Sequence, residues 1–145
     1  MTEQYVVDAS VVAKLYLKDE QHTGNAELLF SRFEDGQLEL LAPRIITYEV
    51  PAAIKKGADK ARVPEAAVLG ALDSFQSLGM LILDDSAATQ EAMNLALAYE
   101  CQFYDALYVL LAEDLGCRFI TADEKMYRKL HRRDLSYAVF IASYQ

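Results

Sequence analysis

Four acidic residues interrupt segments of this sequence that are otherwise apolar. Asp8, Glu49 and Asp123 each follow a short run rich in β-branched and aromatic residues, and Asp105 is the only charged residue among residues 101–112. Burying a carboxylate costs free energy unless it is hydrogen-bonded, paired with a base or bound to a metal. Four such residues without neighbouring bases predict a site that binds a divalent cation.

The charge of these side chains also indicates what such a site would do. Only Lys14 lies close in sequence to Asp8, and the other three acids have no obvious basic partner on an apolar face. Carboxylates within about 4–6 Å raise each other's pKa, and Mg²⁺ or Mn²⁺ relieves this repulsion through oxygen ligands. A metal-bound water can attack a phosphoryl group whose developing charge the metal neutralises. We therefore expect hydrolysis of a phosphodiester bond.

Each acid also has a purely structural explanation. Asp8 and Asp123 could cap helices that begin one or two residues later, and Asp105 could interact with the positive end of its own helix. Glu49 is harder to explain in this way because it lies within an apolar helical segment. The four acids at one sheet edge would together favour a functional site.

The charge of the chain is unevenly distributed. Its net charge of -8 argues against a generic nucleic-acid coat protein, and no Lys or Arg lies between Arg62 and Arg118. The bases form two clusters: Lys55, Lys56, Lys60 and Arg62, then Arg118, Lys125, Arg128, Lys129, Arg132 and Arg133. Positive charge around an acidic pocket suits a phosphate-bearing substrate. The alternative is that these residues form solvated helix faces.

Short apolar runs alternate with longer helical patterns along the chain. The expected strands are residues 5–7, 38–42, 80–83, 118–121 and 138–141. The expected helices lie near residues 10–17, 22–34, 45–56, 64–78, 87–100, 104–115 and 124–132. The alternation predicts an α/β fold, with one domain over residues 1–145 and helices on both faces of a parallel sheet.

The topology of such a sheet would bring the four acids together. Functional sites of open parallel sheets lie outside the carboxyl ends of the strands. Asp8 ends the first expected strand and Asp123 follows the fourth, whereas Glu49 and Asp105 lie near the starts of helices. Helix starts commonly lie at the same edge, so we expect the four carboxylates to converge in one pocket.

Local signals predict where several helices begin and end. Gly57 and Gly116 stand where a helix needs a left-handed C-terminal residue, and Pro64 suits a first helical turn. Thr121 followed by Glu124 matches a capping box. These signals predict helices that end just before the two glycines and a last long helix that begins at Glu124.

Cysteine, histidine and hydropathy patterns limit the other possibilities. Cys101 and Cys117 show no metal-binding spacing, so we expect two buried thiols in a reducing compartment. His22 and His131 are isolated and are expected at the surface or at helix ends. No signal-peptide pattern and no apolar stretch of the roughly 18 residues needed to span a bilayer are present. We expect a cytoplasmic protein without a membrane segment.

The order and spacing of the motifs resemble those of a known family. The similarity extends from residues 6–10 to residues 119–123, and its most specific block is residues 104–108, followed by 111–113 and 115–116. Each motif alone is weak, but the whole set in this order is specific. Over nearly its full length the chain resembles the PIN-domain ribonucleases, in the branch of VapC-type toxins from toxin–antitoxin pairs.

The resemblance implies a fold, an activity and partners. It implies three α/β/α layers around a five-stranded parallel sheet of order 3-2-1-4-5, and an endoribonuclease that depends on Mg²⁺ or Mn²⁺. It also implies an RNA substrate, a small antitoxin that covers or enters the acidic pocket, and a homodimer. Carried over by position, the family's acidic quartet is Asp8, Glu49, Asp105 and Asp123.

The resemblance further suggests a role for each site residue. Asp8, Asp105 and Asp123 would chiefly coordinate metal. Glu49 would help hold a second metal or orient the attacking water. Ser10 and Thr121 match the family's small hydroxyl residues and would fix nearby waters, although helix capping explains Thr121 equally well.

The residues after Glu49 depart from the family pattern. The family often has Glu-x-x-Asn, and Ala52 stands here in the asparagine position. Pro51 requires a helix that begins close to Glu49, because proline has no amide hydrogen. The chain therefore lacks an amide that would support the site or contact the substrate, whereas the acidic quartet is intact.

Other functions stay open at the level of sequence. A signalling domain would use Asp8, Asp84 and Asp85 as a phosphoacceptor pocket, but residues 139–141 lack the lysine it needs. A catalytically silent RNA-binding or partner-binding module would share the fold, and a housekeeping nuclease of RNA maturation would share the chemistry.

Overall fold

The fold is built on a five-stranded parallel sheet. The computed structural model describes residues 2–145. The strands are β1 (Glu3–Val7), β2 (Leu38–Pro43), β3 (Leu81–Leu83), β4 (Arg118–Thr121) and β5 (Ala138–Phe140). They are ordered β3-β2-β1-β4-β5, and all neighbouring pairs are parallel. The α/β fold and the strand order implied by the resemblance are confirmed.

The helices cover both faces of this sheet. Those found in residues 2–145 are α1 (Ala9–Val12), α2 (Thr23–Glu34), α3 (Ile46–Asp59), α4 (Val68–Gln76), α5 (Thr89–Tyr99), α6 (Phe103–Leu115) and α7 (Glu124–Arg132). α6 packs across β1, β2 and β4, and α5 packs on α6. Every helix in the described part of the chain is too short or too polar to cross a lipid bilayer.

The buried strands explain the continuous apolar runs in the sequence. Val6 and Val7 of β1, Leu40 of β2 and Ile120 of β4 are almost completely buried. A strand covered on both faces has no solvent side, so its hydrophobic residues do not alternate with polar ones. The central strands β1, β2 and β4 therefore hold their carboxyl ends in fixed positions beside one another.

Three predicted helices each divide into two segments. The helix expected over residues 10–17 consists of α1 and a 3₁₀ turn at Ala13–Leu15. The helices expected over 64–78 and 87–100 each begin with a 3₁₀ turn, at Glu65–Ala67 before α4 and at Ser86–Ala88 before α5. Short 3₁₀ turns of this kind are frequent at helix ends. Cys101 and Cys117 are free thiols that are half-buried rather than fully buried. His22 and His131 are exposed.

Gly57 does not end a helix, so that prediction is wrong. α3 continues to Asp59, and Gly57 is buried inside it. A Cβ at this position would lie 2.6 Å from Leu17 Cδ2 and 3.1 Å from Val63 Cγ2. The glycine therefore permits close packing of α3 rather than a left-handed turn. Gly116 does adopt the predicted left-handed conformation after α6, with φ of 62°.

Candidate active site

Asp8 lies at the carboxyl end of β1, where two hydroxyl groups hold its carboxylate. Ser10 Oγ donates to Asp8 Oδ2 at 2.6 Å, and Thr121 Oγ1 donates to the same oxygen at 2.7 Å. Neither hydroxyl donates to Oδ1. Burial raises the pKa of Asp8, the two hydroxyl groups oppose that rise, and the charge of Asp123 adds to it. The carboxylate is thus oriented without being neutralised by a base.

The same hydroxyl groups fix the turn between β4 and α7. Ser10 Oγ accepts from the backbone amide of Ala122 at 3.0 Å, and Thr121 Oγ1 accepts from the amide of Asp123 at 3.0 Å. Each hydroxyl therefore joins this turn to the Asp8 carboxylate. The structure thus places Ser10 and Thr121 in direct contact with Asp8.

The predicted capping box at Thr121 and Glu124 is wrong. Thr121 is the last residue of β4 and directs its hydroxyl to Asp8, whereas Asp123 occupies the N-cap of α7 and accepts from Met126 N at 3.1 Å. Asp123 therefore caps α7, which is the structural role that the sequence suggested as an alternative to metal binding. Asp8 occupies the N-cap of α1 but makes no side-chain capping hydrogen bond.

Glu49 lies near the start of α3 and is held by a tyrosine from α6. Tyr108 is buried, and its hydroxyl donates to Glu49 Oε1 at 2.7 Å. Burial raises the pKa of Glu49, the Tyr108 hydrogen bond opposes the rise, and the charge of Asp8 adds to it. Burial and the charges of Asp8 and Glu49 raise the pKa of Tyr108, so its hydroxyl stays protonated and donates.

Tyr108 is the site residue that sequence reasoning missed. The sequence suggests only base stacking or core packing for this side chain, and its ring does pack in the core. A signal is nevertheless present, because Tyr108 follows Asp105 by three residues and therefore shares its face of α6. The partner, Glu49, is 59 positions away in sequence, so the hydrogen bond itself requires the fold.

Asp105 lies in the first turn of α6 and is influenced by all three other acids. Its pKa is raised to about 6, first by burial and then by the charges of Asp8, Asp123 and Glu49, against a weaker opposing effect of Lys129. Asp105 therefore lies within electrostatic reach of each of the other three acids. This places the four sequence-predicted acids at the same edge of the sheet.

The chemistry of the quartet fits a hard divalent cation. Among residues 2–145, no Lys, Arg or His forms an ion pair with Asp8, Glu49, Asp105 or Asp123. Their donors are all oxygen atoms, which Mg²⁺ and Mn²⁺ prefer. Over the same described residues, no three acidic, histidine or cysteine side chains converge into a ready-made metal site. The quartet is thus a group of coupled, uncompensated carboxylates rather than a closed cage.

Comparison with known proteins identifies the family. The PIN domain family matches residues 5–130, a span that contains all six predicted site residues. The chain belongs to the PIN domain family. Ribonuclease VapC3 of Pyrobaculum aerophilum is 31% identical over 126 residues, which cover 86% of this chain and 92% of that protein. The crystal structure of PAE2754 from Pyrobaculum aerophilum has a TM-score of 0.72 at 25% identity, covering 97% of this chain and 85% of that chain.

The departure from the usual PIN pattern after Glu49 has a structural context. α3 begins at Ile46, three residues before Glu49, so Pro51 lies inside the helix. Because proline has no amide hydrogen, the carbonyl of Thr47 lacks its usual helical donor. Ala52 is exposed and offers no polar group. In this PIN domain the hydrogen bond to Glu49 comes from Tyr108 on another helix.

The basic residues divide between the site and the rest of the PIN domain. Arg118 begins β4 and pairs with Glu3 at 3.4 Å, at the amino edge of the sheet and away from the quartet. Arg62 pairs with Asp19 and Glu20, and Lys55 pairs with Asp59. Lys14 pairs with Glu20 at 3.3 Å and not with Asp8. Lys125 and Arg128 line a cavity together with Asp123, and Lys129 opposes the rise in the pKa of Asp105. Lys56 and Lys60 line a different cavity, which also contains Ser10 and Ala122.

Asp84 and Asp85 do not join the quartet. They follow β3, an edge strand that β2 separates from β1. Asp84 is exposed and accepts from the amide of Ser86 at 3.0 Å. A flavodoxin-like sheet instead places its third strand next to its first. The PIN strand order therefore removes the basis for a phosphoacceptor pocket.

Proposed function

We propose that this PIN domain is a metal-dependent endoribonuclease that hydrolyses phosphodiester bonds in RNA, and that it is the toxin of a VapBC-type pair. The observation that carries the proposal is the quartet of mutually repelling carboxylates, without a basic partner in residues 2–145, at the carboxyl edge of the sheet. The similarity to Ribonuclease VapC3 supports the choice of RNA. We assign residues 1–145 to this one domain.

The proposal gives each acid a role. Asp8, Asp105 and Asp123 would hold Mg²⁺ or Mn²⁺, and Glu49 would help hold a second ion or orient the attacking water. The ion, when bound, supplies Lewis-acid stabilisation of a phosphoryl oxygen and lowers the pKa of a bound water. Its positive charge would also offset the burial and the neighbouring carboxylate charges that raise the pKa of Asp105.

The protein's own groups prepare the carboxylates for this role. Ser10 and Thr121 both hold Oδ2 of Asp8, which favours a fixed direction for Oδ1. Tyr108 holds Oε1 of Glu49, so Oε2 is available to accept a hydrogen bond from water. Pre-oriented groups reduce the reorganisation that the reaction would otherwise require.

The partners follow from the same proposal. A small cognate antitoxin would neutralise the protein by covering or entering the acidic pocket, and the active form would be a cytoplasmic homodimer. A housekeeping nuclease would have the same site, so a growth phenotype is needed to distinguish a toxin from a housekeeping enzyme. Expression of the wild type without antitoxin should arrest growth, and co-expression of the neighbouring gene's product should prevent the arrest.

Cleavage of a fluorescent single-stranded RNA tests the activity. We expect the purified protein to cut the RNA with Mn²⁺ or Mg²⁺ and not with EDTA, and Asp105→Asn to lose cleavage and toxicity. Asp114→Asn is the matched control, because Asp114 is exposed on the same helix and lies outside the quartet. A fully active Asp105→Asn variant, or cleavage that persists in EDTA, would contradict the proposal.

A further inference from the structure

Two surface cavities flank the acidic quartet and share one residue, Ala122. The first, about 650 Å³ in volume, extends from Ser10 and Ala122 to Lys56 and Lys60 of α3 and its C-cap. The second, about 780 Å³, extends from Ala122 along α7. Asp123 lines the second cavity, and Ser10, which lines the first, donates to Asp8, so each cavity reaches a residue that belongs to the quartet or contacts it.

Positive charge is available in the first cavity. Lys14 and Arg62 also line it, but they are engaged by Asp19 and Glu20, two acids in the same wall. Within residues 2–145, Lys56 and Lys60 form no ion pair. These two exposed ammonium groups are therefore free to bind an anion.

The second cavity is also basic. Lys125, Arg128 and Arg132 line it together with His131. Arg128 pairs with Glu124 at 2.6 Å, but both side chains are well exposed, and exposed pairs of this kind are weak. Lys125 and Arg132 pair with no carboxylate in the part of the chain that the structure describes.

Aromatic rings accompany the charges of the second cavity. His131 stacks on Tyr127 with ring centroids 5.6 Å apart, and Tyr127 stacks on Phe140 at 5.6 Å. His22 meets Phe140 edge-on at 5.9 Å. Both ends of this aromatic column are exposed, and the end at His131 lines the cavity. A ring at the end of such a column can stack on an unpaired base.

We propose that the two cavities form one continuous track for single-stranded RNA that crosses the quartet at Ala122. Lys56 and Lys60 bind backbone phosphates on one side of the crossing, and Lys125 and Arg132 bind them on the other. A base of the second segment stacks on His131. The inference rests on the proposed ribonuclease function and specifies the strand state and path of its substrate.

Single-stranded RNA fits these features better than a duplex does. A stacking platform requires a base that is not already stacked and paired, whereas duplex RNA is contacted mainly through its backbone and 2′-hydroxyl groups. Cationic grooves with interleaved aromatic side chains bind single strands with little dependence on sequence.

Fluorescence anisotropy with a short labelled single-stranded RNA tests the track. Binding is measured in EDTA, which prevents the proposed cleavage, and at several salt concentrations. The Lys56→Ala/Lys60→Ala and Lys125→Ala/Arg132→Ala pairs should each weaken binding roughly ten-fold and reduce the salt slope by about 0.7 for each phosphate that is no longer neutralised. Lys55→Ala and Arg118→Ala, whose side chains line neither cavity, should bind as the wild type does.

The aromatic column and strand state are tested separately. His131→Ala should weaken binding about five-fold or more if a base stacks there. Because His131 is exposed, this change should not disturb folding, which circular dichroism can verify. Unlabelled single-stranded RNA should compete better than a duplex of the same length.

The outcomes distinguish this inference from the proposed function. The track would be overturned if the wild type did not bind RNA or if both paired variants bound it with wild-type affinity. Unchanged binding by His131→Ala, or equal competition by duplex RNA, would also overturn it. RNA binding that depends on both cationic segments without metal-dependent cleavage would contradict the proposed nuclease while retaining the track. Metal-dependent cleavage by a protein whose RNA binding is unaffected by changes in both cationic segments would support the proposed nuclease and contradict the track.

Discussion

At the scale of single residues, Tyr108 links the hydrophobic core to the acidic quartet. Its ring is buried among core side chains, and its hydroxyl donates to Glu49, which belongs to a different helix. Loss of the hydroxyl would leave the ring packed but free the carboxylate to rotate. The orientation of Glu49 can therefore be tested with little change in packing.

Tyr108→Phe should lower RNA cleavage about ten-fold while reducing the free energy of unfolding by only about 1 kcal/mol. Because the hydrogen bond opposes the rise in the pKa of Glu49, its loss should also move the acidic limb of the pH–rate profile to higher pH. Tyr104→Phe is the control, since Tyr104 is 52% exposed on the same helix. Equal activity and pH profiles for the two variants would exclude the positioning role.

Asp105 makes the metal-free protein sensitive to pH. Its folded-state pKa of about 6 exceeds the ordinary value of 3.8, so the folded protein binds this proton more tightly than the unfolded chain does. The resulting stabilisation is fully present below the ordinary pKa and is lost as the pH rises through about 6. The full shift corresponds to roughly 3 kcal/mol, and partial solvent exposure reduces it to about 1–2 kcal/mol.

Asp105→Asn should therefore stabilise the metal-free protein above pH 7 by about 1–2 kcal/mol and have little effect below pH 4. Urea denaturation in EDTA across this range measures the difference. Asp114→Asn should show no comparable pH-dependent gain, because Asp114 is outside the quartet. A flat difference between Asp105→Asn and the wild type would show that the carboxylates are not coupled in solution.

At the scale of elements, α3 must approach the segment after α1 closely in order to place Glu49. Gly57 makes this approach possible, because a Cβ there would meet Leu17 Cδ2 at 2.6 Å. Leu17, Ala13 and Val63 form a small core cluster of their own beneath α3. The packing of this cluster thus contributes to the position of one member of the quartet.

Gly57→Ala should destabilise the protein by about 1–3 kcal/mol, despite the higher helix propensity of alanine, because the added methyl group overpacks this cluster. Gly70→Ala is the matched control, since Gly70 lies in α4 and a Cβ added there would have no neighbouring atom within 4 Å. The control should stabilise by about 0.5–1 kcal/mol. Urea unfolding of both variants gives the comparison, and a stabilised Gly57→Ala would contradict the packing argument.

The same elements show which features the sequence can predict. Apolar runs reveal the strands because β1, β2 and β4 are covered on both faces, and Asp8 and Asp123 are placed correctly because they end or follow such strands. The role predicted for Gly57 is wrong because the local sequence does not distinguish a glycine that ends a helix from one that permits a close packing contact. The Thr121 hydroxyl and the Tyr108 hydroxyl are ambiguous because their partners lie far away in sequence.

At the scale of the whole molecule, charge is separated by the sheet topology. The order β3-β2-β1-β4-β5 collects the quartet at the carboxyl edge, while the Arg118–Glu3 pair lies at the opposite edge. A net charge of -8 adds to the cost of concentrating acids at one place. The metal-free fold therefore carries an electrostatic penalty that a bound cation would remove.

Mn²⁺ should stabilise the whole protein through this linkage. At about 100 times the dissociation constant, a ligand that binds only the folded state contributes about 2.7 kcal/mol, which is roughly 5–10 °C in Tm for a domain of this size. Thermal unfolding at pH 7.5 should show this rise for the wild type and Asp114→Asn, and a much smaller one for Asp105→Asn. At pH 5 the wild-type rise should shrink, since the proton on Asp105, with its pKa of about 6, competes with the metal. An identical Tm increase in all three proteins would place the metal outside the quartet. Loss of the increase in Asp105→Asn alone would show that the carboxylates proposed for the chemistry also bind the metal and account for its effect on stability.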